Sequence, residues 1–256
     1  MLRIIRLLWF PAVLGLWIGT QALAQDVKEI HKTLPLAADG RVTLDSYKGR
    51  VQIATWDQPS VEIHARIEPD GVTDQRAQVQ ATEMQIDASA GAIHIRTDFH
   101  RVASWDWCFL FGGDRPLVHY TIRMPRTAKL QVRDQRSDIR VGDLRAGLDL
   151  NTYRGAAVVS SVEGPVRLET YRGRIRVGSA AITGSSRVDT YRGEIEMGIP
   201  RHRGLDLDFD IGRHARLSGD LAASRDREGR PNRRLNGGGP TLHLKAYRGA
   251  LRLTTV

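Results

Sequence analysis

Cysteine is almost absent from this chain: Cys108 is the only one in 256 residues, so no internal disulfide can staple the fold even in an oxidising compartment. Catalytic signatures are missing too. The sequence holds no G-x-S-x-G, S-x-x-K or catalytic-cysteine pattern and no Walker or dinucleotide-type glycine loop. Its eight histidines (His31, His64, His94, His100, His119, His202, His214 and His243) show neither H-x-x-x-H nor Cys-His spacing. Neither a metal nor a cofactor is therefore expected, and ligand clusters assembled only in three dimensions stay invisible at this level. Aromatic residues make up 6% of the chain, and they concentrate in W-D-W-C-F-L-F at 105–111.

One long apolar run is present, and it lies at the front. Residues 1–24 place Arg3 and Arg6 before an apolar stretch from Leu7 to Ile18 and end in A-L-A at 22–24. That is the layout of a signal peptide cleaved after Ala24. No later stretch is apolar enough to span a bilayer. The expected location is exported, either periplasmic or extracellular. The formal net charge is +9, two units of which come from Arg3 and Arg6. Export argues against nucleic acid as a partner, and a basic exported chain instead suits an anionic glycan, a lipid head group or an acidic envelope protein.

What the sequence has in abundance is one tetrapeptide. S-Y-K-G occurs at 46–49, T-Y-R-G at 152–155, 170–173 and 190–193, and A-Y-R-G at 246–249. In each copy an apolar residue before the turn is answered by one seven positions later: Leu44 and Val51, Leu150 and Ala157, Leu168 and Ile175, Val188 and Ile195, Leu244 and Leu251. Seven is odd, so a straight strand of period two cannot put both on one face, and the phase must slip at Tyr-Arg-Gly. Glycines 49, 155, 173, 193 and 249 are expected to supply a left-handed or strained backbone there.

Spacing narrows the architecture. Tyr153 and Tyr171 are 18 residues apart and Tyr171 and Tyr191 are 20, with a degenerate Q-R-S copy at 135–137. A crossover unit containing a helix needs roughly 30 residues, whereas two short strands and two turns fit. An all-β, parallel β-solenoid of two-strand rungs is predicted, with rungs about 4.8 Å apart and equivalent side chains in columns; an antiparallel β-sandwich is the alternative. After the leader, residues 25–256 are expected to form one domain. Residues 25–125 supply irregular strands and an aromatic cap, and 126–256 supply the regular repeats. Strands are anticipated as two within 41–68, a pair within 79–98, one at 117–124, rungs over 128–199, one at 205–212 and a pair over 241–255, with a loop at 223–240.

The repeats define the candidate site. Tyr153, Arg154, Tyr171, Arg172, Tyr191 and Arg192 would stack as a Tyr/Arg column able to hold a polyanion through guanidinium forks. The competing reading is neutralisation by Glu169 and Asp189 together with stacking on the phenol rings. Arg174 and Arg176 are expected beside Glu194 and Glu196 of the next rung. Trp105, Trp107, Phe109 and Phe111 form a candidate interaction patch, read alternatively as a plug over an exposed end. Asp206, Asp208 and Asp210 would share one strand face and could attract Ca²⁺, although no EF-hand or nonapeptide calcium pattern accompanies them. Asp134, Asp138 and Asp149 are the carboxylates from which an acidic-polysaccharide cleft could be built.

Four segments carry a family likeness: G-R-V-Q-I-A-T-W-D-Q-P-S-V-E-I at 49–63, Y-T-I-R-M-P at 120–125, the tandem T-Y-R-G units, and N-G-G-G-P-T-L-H-L-K-A-Y-R-G at 236–249. With these the chain resembles the bacterial exported putative-adhesin family of β-strand-repeat proteins, over most of residues 41–256. The resemblance implies a right-handed β-helix-like fold and a cell-envelope role without catalysis. This chain departs from the family pattern in using Tyr-Arg where Asn or Ser commonly precedes the Gly. The expected function is a non-enzymatic exported interaction or adhesin-like module; a scaffold pairing with a partner protein and an enzyme acting on acidic polysaccharide are the alternatives.

Overall fold

The computed structural model describes residues 27–71, 75–99, 115–223 and 234–256. The N-terminal part contributes β1 (Lys28–Pro35), β2 (Arg41–Ser46), β3 (Arg50–Trp56), β4 (Ser60–Glu68), the short helix α1 (Arg76–Ala81), β5 (Glu83–Ala88), β6 (Ala92–Asp98) and β7 (Leu117–Pro125). The repeats follow as β8 (Lys129–Asp134), β9 (Asp138–Leu144), β10 (Leu148–Thr152), β11 (Ala156–Glu163), β12 (Val166–Thr170), β13 (Arg174–Ala181), β14 (Ser186–Thr190) and β15 (Glu194–Ile199). The chain ends with β16 (Leu205–Ile211), β17 (Arg216–Ser218), one turn of helix α2 (Asp220–Ala223), β18 (Arg234–Leu235), β19 (Thr241–Ala246) and β20 (Ala250–Thr255).

The protein is all-β. Its strands form two ten-stranded mixed sheets, ordered β1-β4-β7-β3-β9-β11-β13-β15-β20-β17 and β18-β16-β19-β14-β12-β10-β8-β2-β6-β5, neither closed on itself. Each repeat delivers one strand to each sheet, and strands of successive repeats pair parallel: Leu150 lies opposite Leu168 and Val132, and Ile175 opposite Ile195 and Ala157. Antiparallel pairing occurs between β1 and β4, β4 and β7, β5 and β6, and β16 and β18. Two large open sheets over a shared core are compatible with a wound stack and with a sandwich alike.

The phase slip at the turn is borne out by burial. Leu150, Thr152, Ala157 and Val159 are all buried, whereas Tyr153 is 40% exposed. All ten residues of the five seven-apart pairs lie in the core, and alternating residues point outward. On that outer face Arg174 pairs with Glu194 and Arg176 with Glu196, both at 2.9 Å. Exposed pairs of this kind contribute only about 0.2 to 1 kcal/mol each, so they set register more than stability.

Three expectations are corrected. Residues 41–68 hold three strands, because the chain also breaks at Tyr47–Gly49. The strands β1 and β17 and the helices α1 and α2 were not anticipated, and the short strand β18 falls inside the expected loop at 223–240. The glycine argument also changes. Only Gly49 of the five has a left-handed backbone, at φ 138°. At the other four the constraint is closeness: a Cβ on Gly173 would sit 2.2 Å from the carbonyl oxygen of Gly155, and one on Gly193 would sit 2.4 Å from that of Gly173. Successive turns are therefore in backbone contact at a point no side chain can enter.

Candidate functional site

The Tyr-Arg corner is built from the threonine outward. In the second regular repeat the Gly155 amide donates to Thr152 Oγ1 at 2.9 Å, and in the third the Gly173 amide donates to Thr170 Oγ1 at 2.8 Å. This side-chain-to-backbone bond closes the tight turn. The turn's own amides are then satisfied by the repeat before it. Arg172 N–H donates to the Tyr153 carbonyl at 2.9 Å, Arg192 N–H to Tyr171 at 2.8 Å and Arg248 N–H to Tyr191 at 2.8 Å. The interstrand ladder thus runs on through the corner, and both side chains are forced outward at the same place in each repeat.

The consequence is a stack of four tyrosines. Ring centroids of Tyr153 and Tyr171 are 4.8 Å apart, those of Tyr171 and Tyr191 4.8 Å, and those of Tyr191 and Tyr247 4.9 Å, with interplanar angles of 7°, 4° and 8°. Each arginine rests against the ring that precedes it: the guanidinium carbons of Arg154, Arg172, Arg192 and Arg248 lie 5.4, 5.5, 5.6 and 5.5 Å from their ring centroids. Such contacts are worth about 0.5 to 1 kcal/mol at exposed sites.

Among the described residues none of the four guanidiniums takes part in an ion pair. Glu169 accepts a hydrogen bond from Asn151 at 3.1 Å, and Asp189 is held by Arg187 at 2.7 Å, so neither neutralises the column. The arginines border an open groove of about 740 Å³, floored by the turn glycines and reached also by Arg216 and Glu194. Glu194 is engaged by Arg174.

The structure thus brings together all six repeat residues singled out in the sequence and adds Tyr247 and Arg248. Their tetrapeptide was legible; their place was not, because 50 residues lie between β14 and β19, which pair to set Ala246 opposite Thr190. Tyr47 stands apart. Gln135 occupies the corner between it and Tyr153, and Tyr47 instead meets Phe99 edge-on at 6.0 Å with Arg115 over both rings.

Other candidates resolve differently. Asp208 meets His243 at 2.9 Å, Asp210 pairs with Lys245 at 2.9 Å and Asp206 with Arg234 at 3.3 Å, so each carboxylate of this acidic row is met by a side chain of a neighbouring strand. Asp134, Asp138 and Asp149 do not converge. Asp138 is exposed at the start of β9, Asp149 on β10 accepts from the Gln131 amide at 3.1 Å, and Asp134 points into the core. Burial raises the Asp134 carboxyl above its ordinary range, opposed by hydrogen bonds from Ser137, Thr152 and the backbone. Trp105, Trp107, Cys108, Phe109 and Phe111, like residues 1–24 where a signal peptide is expected, lie outside the described residues.

No family model matches the chain, and no curated protein matches it either. Among solved structures it is similar to a putative cell adhesion protein from Clostridium sporogenes, with 11% identity, 90% of this chain and 100% of that chain covered, and a TM-score of 0.50. A putative adhesin from Parabacteroides merdae matches at 10% identity over 88% of this chain and 96% of its own, with a TM-score of 0.31. At such identity the first likeness speaks for a shared all-β fold.

Proposed function

We propose that this protein is a non-enzymatic, exported, adhesin-like module of the cell envelope that binds an anionic polymer along its Tyr/Arg column. One observation carries the reading: four guanidiniums stand in register on successive repeats with no carboxylate partner among the described residues. Neighbouring charges about 5 Å apart repel by roughly 1 kcal/mol even in bulk-water dielectric. A chain of carboxylates, phosphates or sulfates with matching spacing relieves that repulsion. Arginine suits the task because its planar fork takes two oxygens at once, and each phenol ring holds its guanidinium in place before binding.

The architecture we favour is the right-handed parallel β-helix-like solenoid. In-register parallel pairing between repeats supports it, and parallel crossover connections are right-handed in about 98% of cases. The adhesin character rests on the family resemblance of the sequence and on the name of the Clostridium structure.

The test is retention on immobilised polygalacturonate and on vesicles containing anionic phospholipid, as a function of salt, with neutral dextran and neutral vesicles as controls. Wild type is retained on one anionic support and elutes as salt rises. A variant with Arg154, Arg172, Arg192 and Arg248 all changed to Gln loses that retention while keeping its far-ultraviolet circular dichroism. Equal retention of the two proteins overturns the reading, as does failure of wild type to bind either support.

A further inference from the structure

We infer that His31, His64 and Glu29 form a binding site for a divalent transition-metal ion of the zinc, nickel or cobalt type. The site sits on the edge strand β1 and its antiparallel neighbour β4, outside the regular repeats of residues 126–256. His31 lies directly opposite His64 across that pair. Glu29 is two residues before His31, so both side chains leave β1 on the same face.

The donor atoms already converge. One ligand atom from each of the three residues lies within 4.8 Å of the others. Glu29 Oε2 stands 3.7 Å from His64 Nε2 and 4.0 Å from His31 Nε2, too long for hydrogen bonds. The two imidazoles lie face to face, with centroids 3.9 Å apart and planes 12° from parallel. His64 Nε2 is shielded from solvent yet has no hydrogen-bond partner among the described residues.

That last property separates this pair from the other paired histidines. His94 meets Asp45 at 2.8 Å, His119 meets Glu68 at 2.9 Å and His243 meets Asp208 at 2.9 Å, each within hydrogen-bond distance of one carboxylate. At Glu29 a single carboxylate instead faces two imidazoles without bonding to either. The positive charge nearest on the partner strand is Arg66, opposite Glu29, and it is engaged by Glu68 at 3.2 Å, which leaves Glu29 to the histidines.

Two imidazole nitrogens and one carboxylate oxygen form a donor set that suits zinc, nickel and cobalt better than magnesium or calcium, which prefer oxygen alone. Metal bonds of about 2.0 to 2.2 Å in a tetrahedron place the donors roughly 3.3 Å apart. Reaching that spacing from 3.7 and 4.0 Å, and turning an imidazole out of the stack so that both nitrogen lone pairs aim at one ion, requires rotation of side chains, of which Glu29 and His31 are 52% and 65% exposed. Three protein ligands leave a fourth position open to water or to a donor from another molecule.

Calorimetric titration of the purified protein with zinc chloride and with nickel chloride tests the assignment, with calcium chloride as the oxygen-preferring control. The expected result is saturable uptake of about one equivalent of zinc or nickel that excess calcium does not displace. His31→Asn and His64→Asn each weaken it at least about tenfold, whereas His202→Ala leaves it unchanged. Metal-free thermal unfolding of each variant matches wild type, and only wild type and His202→Ala gain stability on adding zinc. No saturable uptake, or uptake that survives both Asn substitutions, overturns the site.

Discussion

The hydroxyl of Thr152 donates to the carboxylate of Asp134 at 2.9 Å, from one repeat to the residue directly opposite it on the preceding strand. Thr152 in turn accepts the amide of Gly155, and Asp134 accepts the amide of Ser137 at 3.0 and 2.9 Å. Asp134 therefore plays for its own corner the part that threonine plays in the next two repeats, but with a charge buried inside the core.

That charge has a predictable pH signature. Burial raises the Asp134 carboxyl above its ordinary value of 3.8, so between 3.8 and the folded-state value the native protein binds more protons than the unfolded chain. Its contribution to stability is present below 3.8 and is lost as pH rises through the folded value. Asp134→Thr, which copies the neighbouring repeat, is expected to remove this slope and to stabilise the protein at pH 7 by about 1 kcal/mol. Asp134→Ala leaves two buried donors without acceptors and is expected to cost about 1 to 3 kcal/mol. Urea unfolding of the three proteins from pH 3 to 7 measures both effects; a Thr variant less stable than wild type at pH 7 contradicts the account.

Two glycines separate close approach from backbone freedom. A Cβ on Gly193 lies 2.4 Å from the Gly173 carbonyl oxygen, whereas the nearest atom to one on Gly184 is Pro165 Cβ at 3.6 Å. Neither has a positive φ. Gly193→Ala is expected to cost about 1 to 3 kcal/mol by wedging adjacent turns apart, and Gly184→Ala to stay within about 0.5 kcal/mol. Chemical denaturation compares them directly, and equal losses refute the contact argument.

The tyrosine stack makes position within it matter. Tyr171 has a ring on either side, whereas among the described residues Tyr247 has only Tyr191 stacked beside it. Stacked aromatic pairs contribute about 0.5 to 1.5 kcal/mol each beyond burial. Tyr171→Ala should therefore destabilise about twice as much as Tyr247→Ala, and Tyr171→Phe should change little. Thermal unfolding supplies the ranking, and the reverse order removes any stabilising role for the stack.

Much of this was legible before any coordinates. Seven-residue spacing of Leu168 and Ile175 required a phase slip, and both residues are buried on either side of a corner. The pairing of Arg174 and Arg176 with Glu194 and Glu196 followed from repeat length alone. The role of Gly173 did not follow, because glycine serves equally for a left-handed backbone and for the approach of another chain segment. Nor did the convergence of His31 and His64, which are 33 positions apart on strands outside the repeat, where no period relates one to the other.

Local chemistry, repeated at short intervals, determined by itself that the repeats make strands, where those strands turn, and which side chains recur outward at each turn; alternation and turn preference are properties of a few neighbouring residues. Long-range placement was decided only in three dimensions. The return of Tyr247 and Arg248 to the column, the burial of Asp134 and the meeting of His31, His64 and Glu29 depend on which strand lies beside which, and that follows from the packing of a whole core, not from any short stretch of chain.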